Sequence, residues 1–196
     1  MKKIILASAS PRRSELLAQI SLEFTVMPSD VEENPKSTLP QDIVIELSKE
    51  KARDVWGKIG QNNTGDSLVI SADTVVSIEG EILGKPRDEE DAARMLGLLS
   101  GKEHQVYTGV TLIWIDGEGK QEEYSFYVCT GVLMYRMTKA EILEYVLSGE
   151  PMDKAGAYAV QGKAAAFIKS IRGEYSNVVG LPTGRLYQEM KAWDLA

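Results

Sequence analysis

One cysteine and one histidine in 196 residues leave little room for several kinds of chemistry. Cys129 has no partner for an internal disulfide, which fits a reducing compartment, and its place in a strand-like run reads as buried packing. His104 has no clustered Cys or His beside it, so no zinc site is indicated. It also lies far from any serine–acid arrangement that would make a triad. No apolar run approaches the length that spans a bilayer, and the opening MKKIIL is too short for a secretory core. These absences point to the cytoplasm and away from the membrane. A broad cationic surface is missing as well. The formal net charge is −7, which argues against extended nucleic-acid binding. An anionic ligand would have to be held by a local cluster of cations.

What is present is the composition of an ordinary globular chain, 43% hydrophobic and 26% charged, so disorder is not expected. The length suits one substantial core, and no repeat or low-complexity tract divides it. We therefore expect a single domain over residues 1–196, with two lobes and no separable linker.

The stretch LASASPRRSELL, residues 6–17, follows a short strand and opens a helix. Ser10 reads as the N-cap and Pro11 as the first helical residue. Arg12 and Arg13 then sit in the first turn, where the helix dipole disfavours cations. An anion bound beside small residues would explain them; a solvated arginine pair is the plainer reading. A strand over residues 23–27 completes a β–α–β start. The polar loop 28–35 carries Asp30, Glu32 and Glu33, read either as a solvated loop or as a carboxylate source for Mg²⁺ or Mn²⁺. A helix over residues 40–56 follows. Lys51 falls on its apolar stripe with Leu47 and Val55, and spacing alone favours snorkelling over a cleft-directed ammonium. Residues 57–67 read as a loop.

LVISADTVV, residues 68–76, is apolar on both faces, as a central strand should be. Asp73 stands in its middle, where a carboxylate needs a partner, a proton or a metal. Thr74 adds a hydroxyl. Residues 78–82 read as a hairpin turn. LGKP, residues 83–86, places Lys85 on a tight segment. A structural helix capped by Asp88 follows. Two long strands over residues 104–115 and 122–135, joined by a turn at 116–119, suggest an antiparallel arm or second lobe rather than an open doubly wound sheet. Thr138 and Glu141 form a capping box. Residues 151–162 have no clean period and read as a loop, with Tyr158 able to stack or hydrogen-bond and Gln161 able to read a base edge. A strand over 164–171 and a last helix over 183–193 close the chain.

These segments together resemble the Maf family of nucleoside triphosphate pyrophosphatases, and in particular its dTTP/UTP subfamily. The resemblance lies in LASASPRRSELL, SADTVV, LGKP, LSG at 99–101, DKAGAYAVQG at 153–162 and NVVGLP at 177–182. It implies an α/β fold: a twisted mixed sheet with flanking helices and two lobes around a deep cleft, the inosine triphosphate pyrophosphatase-like (Maf/HAM1) architecture. It implies hydrolysis of a nucleoside triphosphate to the monophosphate and pyrophosphate with a divalent cation, Mg²⁺ or Mn²⁺. By position, Ser8, Arg12, Arg13, Lys51 and Lys85 match the phosphate-binding set. Asp73 matches the proton acceptor, Glu33 with Asp73 the metal carboxylates, and Arg12, Thr74 and Gln161 the base-selecting positions. Ser71 departs from the glycine common before Ala-Asp. The resemblance also suggests a homodimer. The alternatives are a 7-methyl-GTP-type pyrophosphatase and a non-enzymatic nucleotide- or DNA-binding regulator of septum formation.

Overall fold

The computed structural model describes residues 2–59, 67–116 and 118–195. In order, the regular elements are β1 (Lys3–Leu6), α1 (Pro11–Gln19), β2 (Phe24–Val26), α2 (Pro40–Ile59), β3 (Ser67–Ile78), β4 (Glu81–Leu83), α3 (Glu89–Leu99), β5 (Glu103–Ile115), β6 (Gln121–Met134), α4 (Lys139–Leu147), β7 (Ile168–Arg172), α5 (Tyr175–Val179) and α6 (Thr183–Ala192). The strands make a mixed sheet in the order β2-β1-β3-β5-β6-β7, with β4 on β3. β1 is parallel to β2 and to β3, as helical crossovers require, whereas β3–β4 and β6–β7 are antiparallel. None of the described helices is long and apolar enough to cross a membrane.

The chain divides into two compact units. The first comprises residues 1–73, 108–128 and 180–196; the second comprises 74–107 and 129–179. In the first unit, Ile5, Ala7, Val69 and Ile113 on the sheet meet Ala52 and Val55 on α2, with Trp56 and Ile59 packed alongside. The period of two on the strands and the 3.6-residue turn of the helix select these positions. Gly109 lets α2 come close. A Cβ there would lie 2.4 Å from the Val44 carbonyl oxygen. Across the same contact Ser48 Oγ and Thr111 Oγ1 are 2.9 Å apart, and the Ser71 hydroxyl donates to the Ser48 carbonyl at 2.5 Å. The Ser71 hydroxyl thereby ties β3 to α2. In the same unit, Trp193 packs against Trp114 and Tyr124, and the Arg185 guanidinium lies over Phe126.

In the second unit, Asp88 caps α3 by accepting from the Asp91 amide, and the Thr138–Glu141 capping box starts α4. Glu79 and Gly80 both adopt positive φ, the geometry of a tight β3–β4 turn that follows strand twist.

Three expectations need correction. α2 continues to Ile59 rather than ending at Trp56. Ile59 is drawn into the core, and Lys58 pairs with Asp54 one turn back. Of the loop expected at 57–67, residues 60–66 lie outside the described residues, as does Gly117 of the turn expected at 116–119. The strand expected at 164–171 begins only at Ile168, because Lys163–Phe167 form a 3₁₀ turn started by the Ala165 amide bonding to the Gly162 carbonyl. Cys129 is exposed, not packed. On β6 the even positions Phe126, Thr130 and Val132 turn inward, so Tyr127 and Cys129 face out.

Candidate active site

The first unit gathers Ser8, Arg13, Glu33, Lys51 and Asp73. β1 ends at Leu6 and hands the chain to α1 through Ser8 and Ser10. Ser10 holds the extended N-cap conformation, but its side chain makes no capping bond. Its amide instead donates to the buried Ser8 Oγ at 3.2 Å. Ser8 Oγ also accepts from Arg13 Nη1 at 3.1 Å, and Arg13 Nε donates to the Gly180 carbonyl at 2.8 Å. The guanidinium is thus fixed on two edges. Burial pulls its proton affinity down and Arg12 works in the same direction, while Asp73 and Glu33 hold the charge in place. An arginine remains protonated under these conditions.

Asp73 sits on the same face of β3 as Val69 and Ser71, the face turned toward α2. Lys51, one turn beyond Ser48 on α2, reaches it: Lys51 Nζ is 2.5 Å from Asp73 Oδ1 and 2.8 Å from Glu33 Oε1. The expectation that Lys51 snorkels is therefore overturned. With Asp73 buried beside it, an ammonium turned to solvent would leave that carboxylate without its ion-pair partner, a costly arrangement. Asp73 is only 7% exposed. That burial raises its pKa above the ordinary aspartate value, with Glu33 adding to the rise and Lys51 and Arg13 opposing it. Glu33, read from the loop as a solvated acid or a metal carboxylate, is tied to the ammonium. The result is an alternating cluster, arginine, aspartate, lysine, glutamate. It holds a carboxylate of raised proton affinity beside fixed cations, a combination suited to orienting water and receiving a proton next to a bound anion.

The second unit holds Thr74, Lys85 and Gln161. Thr74 is partly buried on β3, Lys85 is exposed after β4, and Gln161 is exposed in the turn before Lys163–Phe167. Three of the sequence segments converge here. The Gly156 amide donates to the Gly84 carbonyl at 3.0 Å, and a Cβ on Gly156 would meet Val76 Cγ2 at 2.7 Å. Gly156 also has φ +68°, so glycine suits both the close approach and the backbone. SADTVV, LGKP and DKAGAY are thereby tied to one another. Tyr158 does not offer a stacking face. It is buried, its hydroxyl 2.8 Å from His104 Nε2.

Sequence reasoning assigned no role to the Gly180 carbonyl or to Ser48 and Gly109. Backbone acceptors and close helix–sheet approaches carry no side-chain signal. The NVVGLP segment around Gly180 was visible only as a motif.

A model of the Maf-like protein family matches residues 3–193 of this chain. The chain is 54% identical over 199 residues to a dTTP/UTP pyrophosphatase of Agathobacter rectalis, with 97% of each chain covered. It is 49% identical over 195 residues to a dTTP/UTP pyrophosphatase of Lachnoclostridium phytofermentans, covering 100% of this chain and 97% of the relative. Among solved structures, a HAM1 protein from Coxiella burnetii aligns with a TM-score of 0.52 at 15% identity, over 98% of this chain and 100% of that one. At that identity the likeness concerns the fold, the twisted mixed sheet with flanking helices. With the family model matched along nearly the whole sequence, this chain belongs to the Maf-like protein family.

Proposed function

We propose that this chain is a nucleoside triphosphate pyrophosphatase that hydrolyses dTTP and UTP to the monophosphate and pyrophosphate. The observation that carries the reading is the buried Asp73 beside Lys51 and within electrostatic reach of Arg13. The names of the relatives agree with it. The substrate's phosphates are assigned to Ser8, a hydroxyl partner, and to Arg12, Arg13, Lys51 and Lys85, whose positive charge offsets the triphosphate and the developing pyrophosphate. Asp73 accepts a proton from the water that attacks the α-phosphorus. Arg12, Thr74 and Gln161 are assigned to the base. We take residues 1–196 as one functional domain, and the cytoplasm as a compartment that a chain with one cysteine fits.

The donor set fits Mg²⁺ or Mn²⁺. Asp73 and Glu33 supply carboxylate oxygens around one ammonium, and an oxygen-preferring ion commonly takes one or two carboxylates with substrate phosphates. Among the described residues no group of three or more His, Cys, Asp or Glu is placed to hold an ion alone, so we assign its binding to the substrate complex. When bound, the ion neutralises phosphate charge and makes a coordinated water more acidic.

The test is a panel of canonical, methylated and non-canonical triphosphates, with Mg²⁺ or Mn²⁺ and with products identified. We expect pyrophosphate from dTTP and UTP. A strong preference for 7-methyl-GTP, or release of single phosphate, overturns the assignment.

A further inference from the structure

Gln161 is exposed, yet the backbone on both sides of it is tied down. The turn Ala159–Gly162 is closed by the Gly162 amide donating to the Ala159 carbonyl at 3.0 Å. The Ala159 amide donates to Tyr145 Oη at 3.1 Å, on the buried face of α4. The Tyr145 hydroxyl donates in turn to Glu150 Oε1 at 2.8 Å. The other oxygen of that carboxylate, Oε2, accepts from the Lys163 amide at 3.2 Å. One phenol–carboxylate pair therefore grips the two amides that flank the turn. Gly162 fits between them. A Cβ there would lie 2.2 Å from Glu150 Oε1, so only glycine leaves the carboxylate where it is. Just upstream, Tyr158 is held by His104.

We propose that Tyr145 and Glu150 are positioning residues for base selection: they set the backbone from which Gln161 reaches the nucleotide base. This rests on the assignment of Gln161 to the base made above. An exposed amide reader on an untethered turn samples many geometries, and the discrimination it provides falls with its precision. Neither Tyr145 nor Glu150 is among the residues assigned to the phosphates or to proton transfer. Loosening it should therefore blunt the choice of base and spare the hold on phosphate.

The experiment compares Glu150→Ala, Tyr145→Phe, Gly162→Ala and Gln161→Ala for kcat and KM on dTTP and dCTP, with inorganic tripolyphosphate as a base-free competitive inhibitor. We expect Glu150→Ala and Tyr145→Phe to lower the dTTP:dCTP ratio of kcat/KM about tenfold, chiefly through the KM for dTTP. The inhibition constant of tripolyphosphate should stay within about twofold. Gly162→Ala should reproduce Glu150→Ala, and the double variant should be no worse than either, because both act through one carboxylate. Glu150→Gln keeps an acceptor for the Lys163 amide and should recover most of the ratio. Should Glu150→Ala fail to fold, Gly162→Ala and Tyr145→Phe carry the same comparison. An unchanged ratio in the clamp variants, while Gln161→Ala flattens it, overturns the clamp alone. An unchanged ratio in Gln161→Ala overturns the base assignment and the clamp's role with it. Weakening of tripolyphosphate in step with dTTP also overturns it, since the effect would then be general.

Discussion

The closeness of α2 to β5 makes a paired glycine test. A methyl group added at Gly109 would lie 2.4 Å from the Val44 carbonyl oxygen and 2.9 Å from the Ile45 nitrogen. That is about an ångström inside ordinary contact, and both atoms are helix backbone, so no rotamer relieves the clash. Overpacking costs about 1–3 kcal/mol, and with rigid backbone on the receiving side we take the upper end. For a chain of this size each kcal/mol moves Tm by about 2–4 °C, so Gly109→Ala should melt about 6–12 °C lower. Because α2 carries Lys51, a displacement of about 1 Å should also cost up to about 100-fold in kcat/KM. The control is Gly57 on the same helix, which has nothing within 4 Å of an added Cβ. Gly57→Ala should gain about 0.8–1 kcal/mol from helix propensity and leave turnover unchanged. Melting by calorimetry and pyrophosphate release from dTTP read out both. If Gly109→Ala melts within 2 °C or so of the parent and keeps its activity, the helix does not lie where it is described.

Asp73→Asn should fold and lose about 10²–10⁴ in kcat, the usual value of a positioned proton acceptor; near-normal turnover removes it from that role. Arg13→Ala should raise the KM for dTTP about 10–100-fold, the worth of hydrogen bonds to a charged group. Arg13→Lys should not restore it, because an ammonium cannot span the Gly180 carbonyl and Ser8 Oγ as the guanidinium does. An Arg13→Lys variant with parental KM refutes this. Burial pushes the His104 pKa down from 6.5 to about 4, so the native ring stays neutral while the unfolded one gains a proton. The stabilisation is complete above pH 6.5 and is lost as the pH falls toward about 4. At pH 5 the loss should be about 2 kcal/mol relative to pH 7, measured by urea unfolding. His104→Leu should remove that pH difference whatever its effect at pH 7, and an unaltered slope counts against the buried neutral ring.

Much of this molecule was legible in its one-dimensional pattern. The β–α–β start, Asp88 and Thr138 as caps, the tight turn at Glu79-Gly80 and the central strand with Asp73 all follow from local periodicity and turn chemistry, which depend on neighbours a few residues away. The motifs also named Ser8, Arg13, Lys51 and Asp73, which the first unit brings together. What spacing could not decide is where a long side chain ends. Lys51 lies on an apolar stripe, and only the packing of α2 across β3 puts its ammonium between Asp73 and Glu33. Cys129 sits in an apolar run, and only the register of β6 turns it outward. Likewise the Gly180 carbonyl meets Arg13 across 167 residues of chain, and the Tyr145–Glu150 pair meets a turn that begins nine residues later. Local preferences are short-ranged and specify elements. Partners for buried charge and for backbone amides are chosen by long-range packing, which desolvates them together and makes the pairing compulsory.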